Sequence, residues 1–378
     1  MASTRSSHRY VLMVLSSGPG GIRSVVDGYE RDGLFQRWNV RLLYPHVEGG
    51  ILRRLIAAGG ALISFGARLA MGRVRLVHCH VAMWGSFWRK SIFAELARLG
   101  RVPVIFHIHG SEMRLFFDRQ GSIGKRLIRR QLQRVDRVLV LSESWKTFVE
   151  AISPGARVTI LPNYVPLPFC SPQVRPSKGI RIIFLGLLGP RKGIYELLQA
   201  FNDVVHRIPD LTLMVAGNGD VAGVSRHVQA LGLQDVVQVL GWISGADKEA
   251  LLRDADIFVL PSHNEGLPVS ILEAMSWGVA VVSTRVGGIP ELVRDGQDGI
   301  LIAAGDVPAL AAALQKLASD ACLRTRLGRS ARMRVASSFA PDVILPKLDA
   351  IYADMLQVPA RNGVAIGRTT RDSISRGD

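Results

Sequence analysis

The stretch Asp256-Ile257-Phe258-Val259-Leu260-Pro261-Ser262-His263-Asn264-Glu265-Gly266-Leu267-Pro268-Val269-Ser270-Ile271-Leu272-Glu273 decides how this chain folds. Ile257 to Leu260 are apolar and rich in β-branched residues, as in a strand buried on both faces of a parallel sheet, and Pro261 ends the run. A loop from Ser262 to Gly266 follows. Pro268 suits a first helical position, and Val269 to Trp277 carries a helical apolar pattern that stops at Gly278. Glu265 therefore falls in the loop and Glu273 inside the helix. Backbone N–H groups near Gly266, Leu267, Val269 and Ser270, with the positive end of the helix dipole, make a seat for a phosphate or diphosphate. A carboxylate beside that seat would repel the phosphate, so Glu265 is better suited to accept hydrogen bonds from sugar hydroxyls, and Glu273 from ribose hydroxyls. Taken alone, the E-x7-E pair also reads as two solvated glutamates around a helix start.

The same alternation runs through the whole chain. Strand-like segments at Tyr10 to Leu15, Val40 to Leu43, Leu76 to His78, Val104 to His107, Arg137 to Leu141 and Val158 to Leu161 alternate with helix-like stretches. Ile180 to Leu185, Thr212 to Ala216, Val236 to Leu240, Asp256 to Leu260, Ala280 to Ser283 and Gly299 to Ile302 do the same in the second half. This pattern predicts an α/β protein with parallel sheets covered by helices. Pro162, Pro166, Pro168, Pro172 and Pro176 fall within fifteen residues and resist helix, which marks a linker. The expected organisation is a first domain over 1–162, a linker over 163–178, a second domain over 179–339, a helix over 340–356 and a polar, aperiodic tail over 357–378 that is expected to be disordered. A chain of 378 residues with 48% hydrophobic residues is large enough for two cores.

From Asp254 to Gly299 the chain carries Pro261-Ser262, the E-x7-E pair, Ala274-Met275, Gly278, Gly287-Gly288-Ile289-Pro290-Glu291 and Asp295-Gly296-Gln297-Asp298-Gly299. Upstream lie Phe184-Leu185-Gly186, Arg191-Lys192-Gly193 and Gly217-Asn218-Gly219. Together these resemble the C-terminal domain of retaining glycosyltransferases of family 4. The resemblance is dense in the second half and loose in the first. It implies the GT-B fold, in which two Rossmann-like domains with parallel sheets face each other across a cleft, and it implies that the helix over 340–356 crosses back to the first domain. It further implies transfer of a hexose-type sugar from a UDP-, GDP- or ADP-sugar to an acceptor hydroxyl, without metal or cofactor and with retention at the anomeric carbon. Glu265 and Glu273 would bind donor sugar and ribose, and Lys192 the donor diphosphate. One position departs from the family, which usually has Arg after the glycine that here is Gly186; this chain has Leu187, and Arg191 beside Lys192 is the available substitute. Two other readings stay open. A non-hydrolysing nucleotide-sugar epimerase shares the fold, and a nucleotide-sugar-binding protein that has lost catalysis would fit the change at Leu187.

In the first half, Ser17-Gly18-Pro19-Gly20-Gly21-Ile22 follows a strand and opens a helix, so Gly20 and Gly21 allow a ligand close to the backbone. The family often has a Gly-Gly pair here that touches the donor diphosphate. In Phe106-His107-Ile108-His109-Gly110-Ser111-Glu112 the resemblance places His109 at the cleft near the reacting carbon, while alternation is expected to send His107 elsewhere. Three patterns are declined. Asp254-Ala255-Asp256 imitates a metal-binding D-x-D, but Asp256 begins a buried strand. Gly217-Asn218-Gly219 through Gly223 imitates a dinucleotide fingerprint, but the third glycine is misplaced and no nicotinamide cofactor is expected; the resemblance implies Gly217 as a donor contact. His78 and His80 share a strand face without a carboxylate or thiol partner in the pattern, so structure or acceptor contact is the reading.

Charge is unevenly spread. Residues 1–170 hold 25 Lys and Arg against 10 Asp and Glu, a net +15, and residues 171–378 hold 22 against 21, a net +1. The run Lys125 to Arg137 reads as a helix with Leu127, Ile128, Leu132 and Val135 on one side and cations on the other. Such a surface attracts an anionic membrane face. It would attract nucleic acid by the same field, but no nucleic-acid motif with interleaved aromatics accompanies it, and no nucleic-acid partner is expected. Leu55 to Ala67 is too short to span a bilayer and is expected either to lie in its interface or to pack as a core helix. Three scattered cysteines, Cys79, Cys170 and Cys322, argue against a disulfide framework. The apolar run Tyr10 to Leu15 is too short for a signal peptide. A cytoplasmic protein, peripheral at the inner face of the plasma membrane and acting on a lipid-linked or polysaccharide glycan, is the expectation.

Overall fold

The computed structural model describes residues 9–18, 20–47, 49–168 and 179–358. The strands β1 (Tyr10–Val14), β2 (Val40–Leu43), β3 (Val74–Val81), β4 (Val104–Ile108), β5 (Arg137–Val140) and β6 (Val158–Ile160) form one sheet in the order β2-β1-β3-β4-β5-β6. The strands β7 (Ile180–Leu185), β8 (Leu211–Ala216), β9 (Val237–Gly241), β10 (Ile257–Leu260), β11 (Ala280–Thr284) and β12 (Gly299–Ile302) form the second, in the order β12-β11-β10-β7-β8-β9. Every pairing is parallel. Parallel strands demand covered faces, and β1, β4, β10 and β11 are accordingly buried at every residue.

Topology fixes where a ligand can sit. In each sheet the winding reverses beside the first strand, between β1 and β3 in one and between β7 and β10 in the other. At such reversals the connections leave in opposite directions and open a crevice at the carboxyl ends of the strands. The loops after β1, β3, β7 and β10 carry Gly20 and Gly21, Trp84, Lys192 and Glu265 respectively.

The last described helix, Pro341–Leu356, lies against the first sheet although it follows the second in sequence. Ile344, Leu345, Leu348 and Tyr352 pack in one core with Val11, Met13, Trp38 and Leu76. Trp38 Nε1 donates to Asp349 Oδ1 at 2.5 Å, so the helix is held by a directed bond as well as by apolar burial.

Some expectations need correction. The basic helix is Ser122–Arg134, and Arg137 already belongs to β5. Ile128 and Leu132 are buried, Leu127 is not, and Val135 is buried beyond the helix end. Pro268 is the N-cap of helix Val269–Ser276, not its first residue. The run Leu55 to Ala67 lies inside the longer helix Ile51–Ala70, where Ala61 and Phe65 alone are buried. No helix among the described residues is long and apolar enough to cross a membrane. Cys79 is buried and Cys322 exposed, neither in a disulfide. Cys170, Pro19, linker residues 169–178 and tail residues 359–378 lie outside the described residues.

Candidate active site

Beyond β10 the chain turns through a loop held by its neighbours. Thr284 Oγ1 donates to Ser262 O at 2.6 Å, and Ser262 Oγ donates to Glu265 Oε1 at 2.7 Å. The same carboxylate oxygen is paired with Lys192 Nζ, and Glu265 is only 4% exposed. Two glycines make this approach possible. Gly193 has φ +72°, and a Cβ there would lie 2.1 Å from Pro261 O; Gly287 has φ +54°, and a Cβ there would lie 1.8 Å from Glu265 O. With side chains at those positions, neither the Lys192 turn nor the Gly287 turn could close on the Glu265 loop. His263 N donates to Arg191 O at 2.9 Å and zips the two loops together. Further along, Glu273 on helix Val269–Ser276 accepts from Lys248 Nζ at 2.6 Å, a residue on helix Gly245–Arg253.

The first sheet presents a different chemistry. His78 and His80 on β3 and His107 and His109 on and after β4 form a block of four imidazoles. His78 Nε2 and His107 Nδ1 are 3.2 Å apart, and His80 Nδ1 and His109 Nε2 are 2.9 Å apart. His78 stacks over His80 at 4.3 Å between ring centroids, and His107 lies against His109 at 4.0 Å, tilted by 39°. His107 therefore does not point away from His109. Residues two apart on a strand share a face, and the same rule that unites His78 with His80 unites this pair. Burial holds all four neutral, pushing His107 down to about 3 and His78, His80 and His109 well below the usual histidine range, with the neighbouring imidazoles adding to the effect on His78, His80 and His109. The Leu161 backbone faces His107 and favours its protonated form, without reaching hydrogen-bond geometry at Nε2. Nitrogens of His78, His80 and His107 lie within 4.8 Å of one another; His78 Nε2, His107 Nδ1 and His80 Nδ1 are engaged in ring-to-ring hydrogen bonds, while Nε2 of His80 and of His107 has no partner.

The two rims meet. His109 O lies 3.3 Å from where a Cβ on Gly266 would sit, and Gly21 stands opposite Val269, whose Cγ2 would be 4.0 Å from a Cβ on the glycine. Arg191 Nη1 donates to Ser111 Oγ at 3.0 Å. Asn163 Nδ2 donates to Leu267 O at 2.7 Å, and Glu291 accepts from the N–H groups of Glu143 and Ser144 at 2.7 and 2.9 Å. Thus His109, Gly21, Arg191, Lys192, Glu265, Gly266, Leu267 and Val269 converge on one cleft. Glu273 stands one helical stretch further on, paired with Lys248. Gly20, with φ +145°, has open space beside it. Gly217 is explained by the backbone: φ is +152° and a Cβ would lie 1.7 Å from Gly186 O, so it lets the ends of β7 and β8 pack. Leu187 is 43% exposed beside Gly219. Asp254 and Asp256 sit at the opposite, amino end of β10, where Asp254 pairs with the Arg181 guanidinium at 3.2 Å and Asp256 accepts from Arg181 N at 2.8 Å.

Several site residues carry no sequence signal of their own. Lys248 lies in a short helix without a motif, and Ser111 is recognisable only from its contact across the cleft. Trp84 takes φ +57°, rare for a bulky residue, after β3; its Nε1 donates to Glu112 at 3.2 Å and it stays 37% exposed. His80 had a signal, since H-x-H occurs on both β3 and β4 and these strands pair.

Two parallel sheets with their winding reversals opposed across a cleft, one rim carrying a lysine, two acids and a helix start, define a GT-B enzyme. Residues 17–168 match the model of Glycosyltransferase Family 4 and residues 171–334 that of Glycosyl transferases group 1. The chain is 30% identical to glycogen synthase of Mycobacterium tuberculosis over 79% of its length and 74% of the relative's. It is 28% identical to phosphatidyl-myo-inositol mannosyltransferase of Mycobacterium leprae, over 82% and 86%. Among solved structures it superposes on sucrose-phosphate synthase of Thermosynechococcus elongatus with TM-score 0.78 at 18% identity, covering 92% of this chain and 99% of that one. HepE of Anabaena, in complex with UDP-glucose, gives TM-score 0.73 at 18% identity over 92% and 100%. The chain belongs to glycosyltransferase family 4 and transfers sugar from a nucleotide-sugar donor.

Proposed function

We propose that this enzyme moves a hexose-type sugar, with retention, from a UDP-, GDP- or ADP-sugar to a hydroxyl of a lipid-linked or polysaccharide glycan. The observation that carries the reading is the Lys192–Glu265 pair, set at the winding reversal of the second sheet and facing His109 across the cleft. In this reading residues 1–162 form the acceptor side and 179–339 the donor side. Bond breaking places negative charge on the departing diphosphate. Lys192, Arg191 and the N–H groups at Gly266, Leu267 and Val269 stabilise that charge where it develops, without a metal. Donor binding pulls Lys192 toward the diphosphate and frees Glu265 for sugar hydroxyls; Glu273, hydrogen-bonded to Lys248, takes the ribose. Gly20 and Gly21 approach the diphosphate from the other side, and His109 lines the reacting face. No side-chain nucleophile is assigned: the acceptor attacks the face from which the diphosphate leaves, and its proton passes to the leaving phosphate. The bound UDP-glucose of HepE and the glycan-building relatives support the substrate class.

Thermal-shift titration with UDP, GDP and ADP identifies the base, and transfer is then measured with the matching donors. Glu265→Gln is expected to abolish transfer while the protein stays folded by far-UV circular dichroism; unchanged turnover would refute the site.

A specific surface supports a peripheral position on an anionic membrane. On helix Ile51–Ala70, Ile51, Leu52, Leu55, Ile56 and Ile63 are 64–79% exposed. At 100° per residue these five share one uncharged arc, while Arg53, Arg54 and Arg68 lie outside it. An apolar face flanked by cations suits the headgroup boundary, where each cation contributes about 1 kcal/mol. The protein should pellet with vesicles containing phosphatidylserine at low salt, and Leu55→Ser with Ile56→Ser should leave it in the supernatant; pelleting that is indifferent to both charge and these changes would remove the assignment.

A further inference from the structure

The four-histidine block contains one relation that neither the family assignment nor the proposed chemistry uses. His80 is fully buried on β3, its Nδ1 is 2.9 Å from His109 Nε2, and its own Nε2 has no partner. We propose that His80 is a positioning residue, whose Nδ1–H donates to His109 Nε2 and thereby presents His109 as the tautomer with a free Nδ1–H.

Proton accounting leads there. Neutral His80 carries one ring hydrogen. On Nε2 it would be a buried N–H with no acceptor, an arrangement native proteins avoid more strongly than an unsatisfied acceptor. On Nδ1 it makes the observed bond and leaves only a lone pair orphaned. His109 Nε2 is then the acceptor, so the hydrogen of neutral His109 sits on Nδ1, for which no hydrogen-bond partner is found among the described residues. The His109 ring is also wedged against His107, tilted by 39° with centroids 4.0 Å apart, while His80 is stacked on His78 at 4.3 Å. The neighbouring layer is closed at its far end by Tyr352, whose hydroxyl is 2.6 Å from His78 Nδ1. An uncharged N–H on His109, whose carbonyl oxygen lies beside Gly266, can donate to a sugar oxygen without competing with Lys192 for the phosphate. The proposal rests on reading His109 as a cleft residue.

Two readouts separate the proposal from that reading. Imidazole nitrogen NMR on histidine-labelled protein needs no substrate. His109 should appear as the Nδ1–H tautomer in the wild type, move toward Nε2–H in His80→Leu, and return in His80→Asn, whose amide N–H can replace Nδ1–H. A wild-type His109 protonated on Nε2, or one unmoved in His80→Leu, overturns the proposal. Release of UDP from UDP-glucose supplies the second. His80→Leu should lower kcat about tenfold, roughly the worth of one hydrogen bond, with KM within about twofold. It should cost nothing further in a His109→Ala background, whereas additive losses would overturn the positioning role. A His109→Ala variant with normal turnover would instead sink the reading of His109, leaving the tautomer result to stand alone.

Discussion

The two sheets share strand number and a reversal in winding, yet their rims handle polar groups in opposite ways. The rim of the second sheet matches acids with amines, Glu265 with Lys192 and Glu273 with Lys248. The rim of the first gathers imidazoles and keeps them uncharged by burial. In the proposed reading the charged groups that act on a departing diphosphate come from one lobe, while the other supplies close backbone approach and neutral hydrogen bonding. The lobes resemble each other in architecture and not in chemistry.

Disturbing the charged rim should have the largest effect. Lys192→Ala leaves a nearly buried carboxylate without its cation, and removing one partner of such a pair typically costs about 3–5 kcal/mol. Transfer should fall at least roughly a hundredfold, the scale of one lost electrostatic stabiliser. Adding Glu265→Gln should restore most of the stability, read from urea unfolding, and none of the activity. If the single variant unfolds at the wild-type midpoint, the rims do not differ as described.

Acid should find the neutral rim first. Unfolded histidines take up protons below about pH 6.5, whereas His107 in the fold resists until about 3 and its three neighbours are also lowered. The unfolded state thus binds more protons, and stability, intact above pH 6.5, is lost as the pH falls, by about 1.4 kcal/mol per histidine for each pH unit. Asp298, whose carboxyl is lowered by its bonds to Arg294 and Ser330 despite burial, adds a loss only at lower pH. Urea midpoints between pH 7 and 5 should drop steeply in the wild type and less steeply in His107→Leu. The smallest expected effect is at Glu273: Glu273→Gln should raise KM for the donor about tenfold with kcat nearly unchanged, since a hydroxyl contact made equally in ground and transition states affects binding alone.

All twelve strands were legible because each is an apolar run bounded by proline, glycine or charge, and the observed limits differ by a few residues at most. The placement of Glu265 in the loop and Glu273 in the helix was legible because a strand-turn-helix unit fixes what lies in each part. The partners were not. Lys248 reaches Glu273 from another helix, and Arg191 reaches Ser111 from another sheet, so neither contact leaves a local pattern. His107 was misplaced by an argument about alternation that, applied to spacing of two, gives the opposite answer. Whether Ile51–Ala70 hides or shows its apolar arc depends on the neighbours it packs against, which periodicity does not report.

Helix Pro341–Leu356 closes the core of a lobe whose strands were all translated long before it. Until Ile344, Leu348 and Tyr352 emerge from the ribosome, the face formed by Val11, Met13, Trp38 and Leu76 lacks its cover, and His78 lacks its phenol partner. The lobe made first is thus finished last, and nascent chains halted before residue 341 should expose a sticky surface that chaperones can hold.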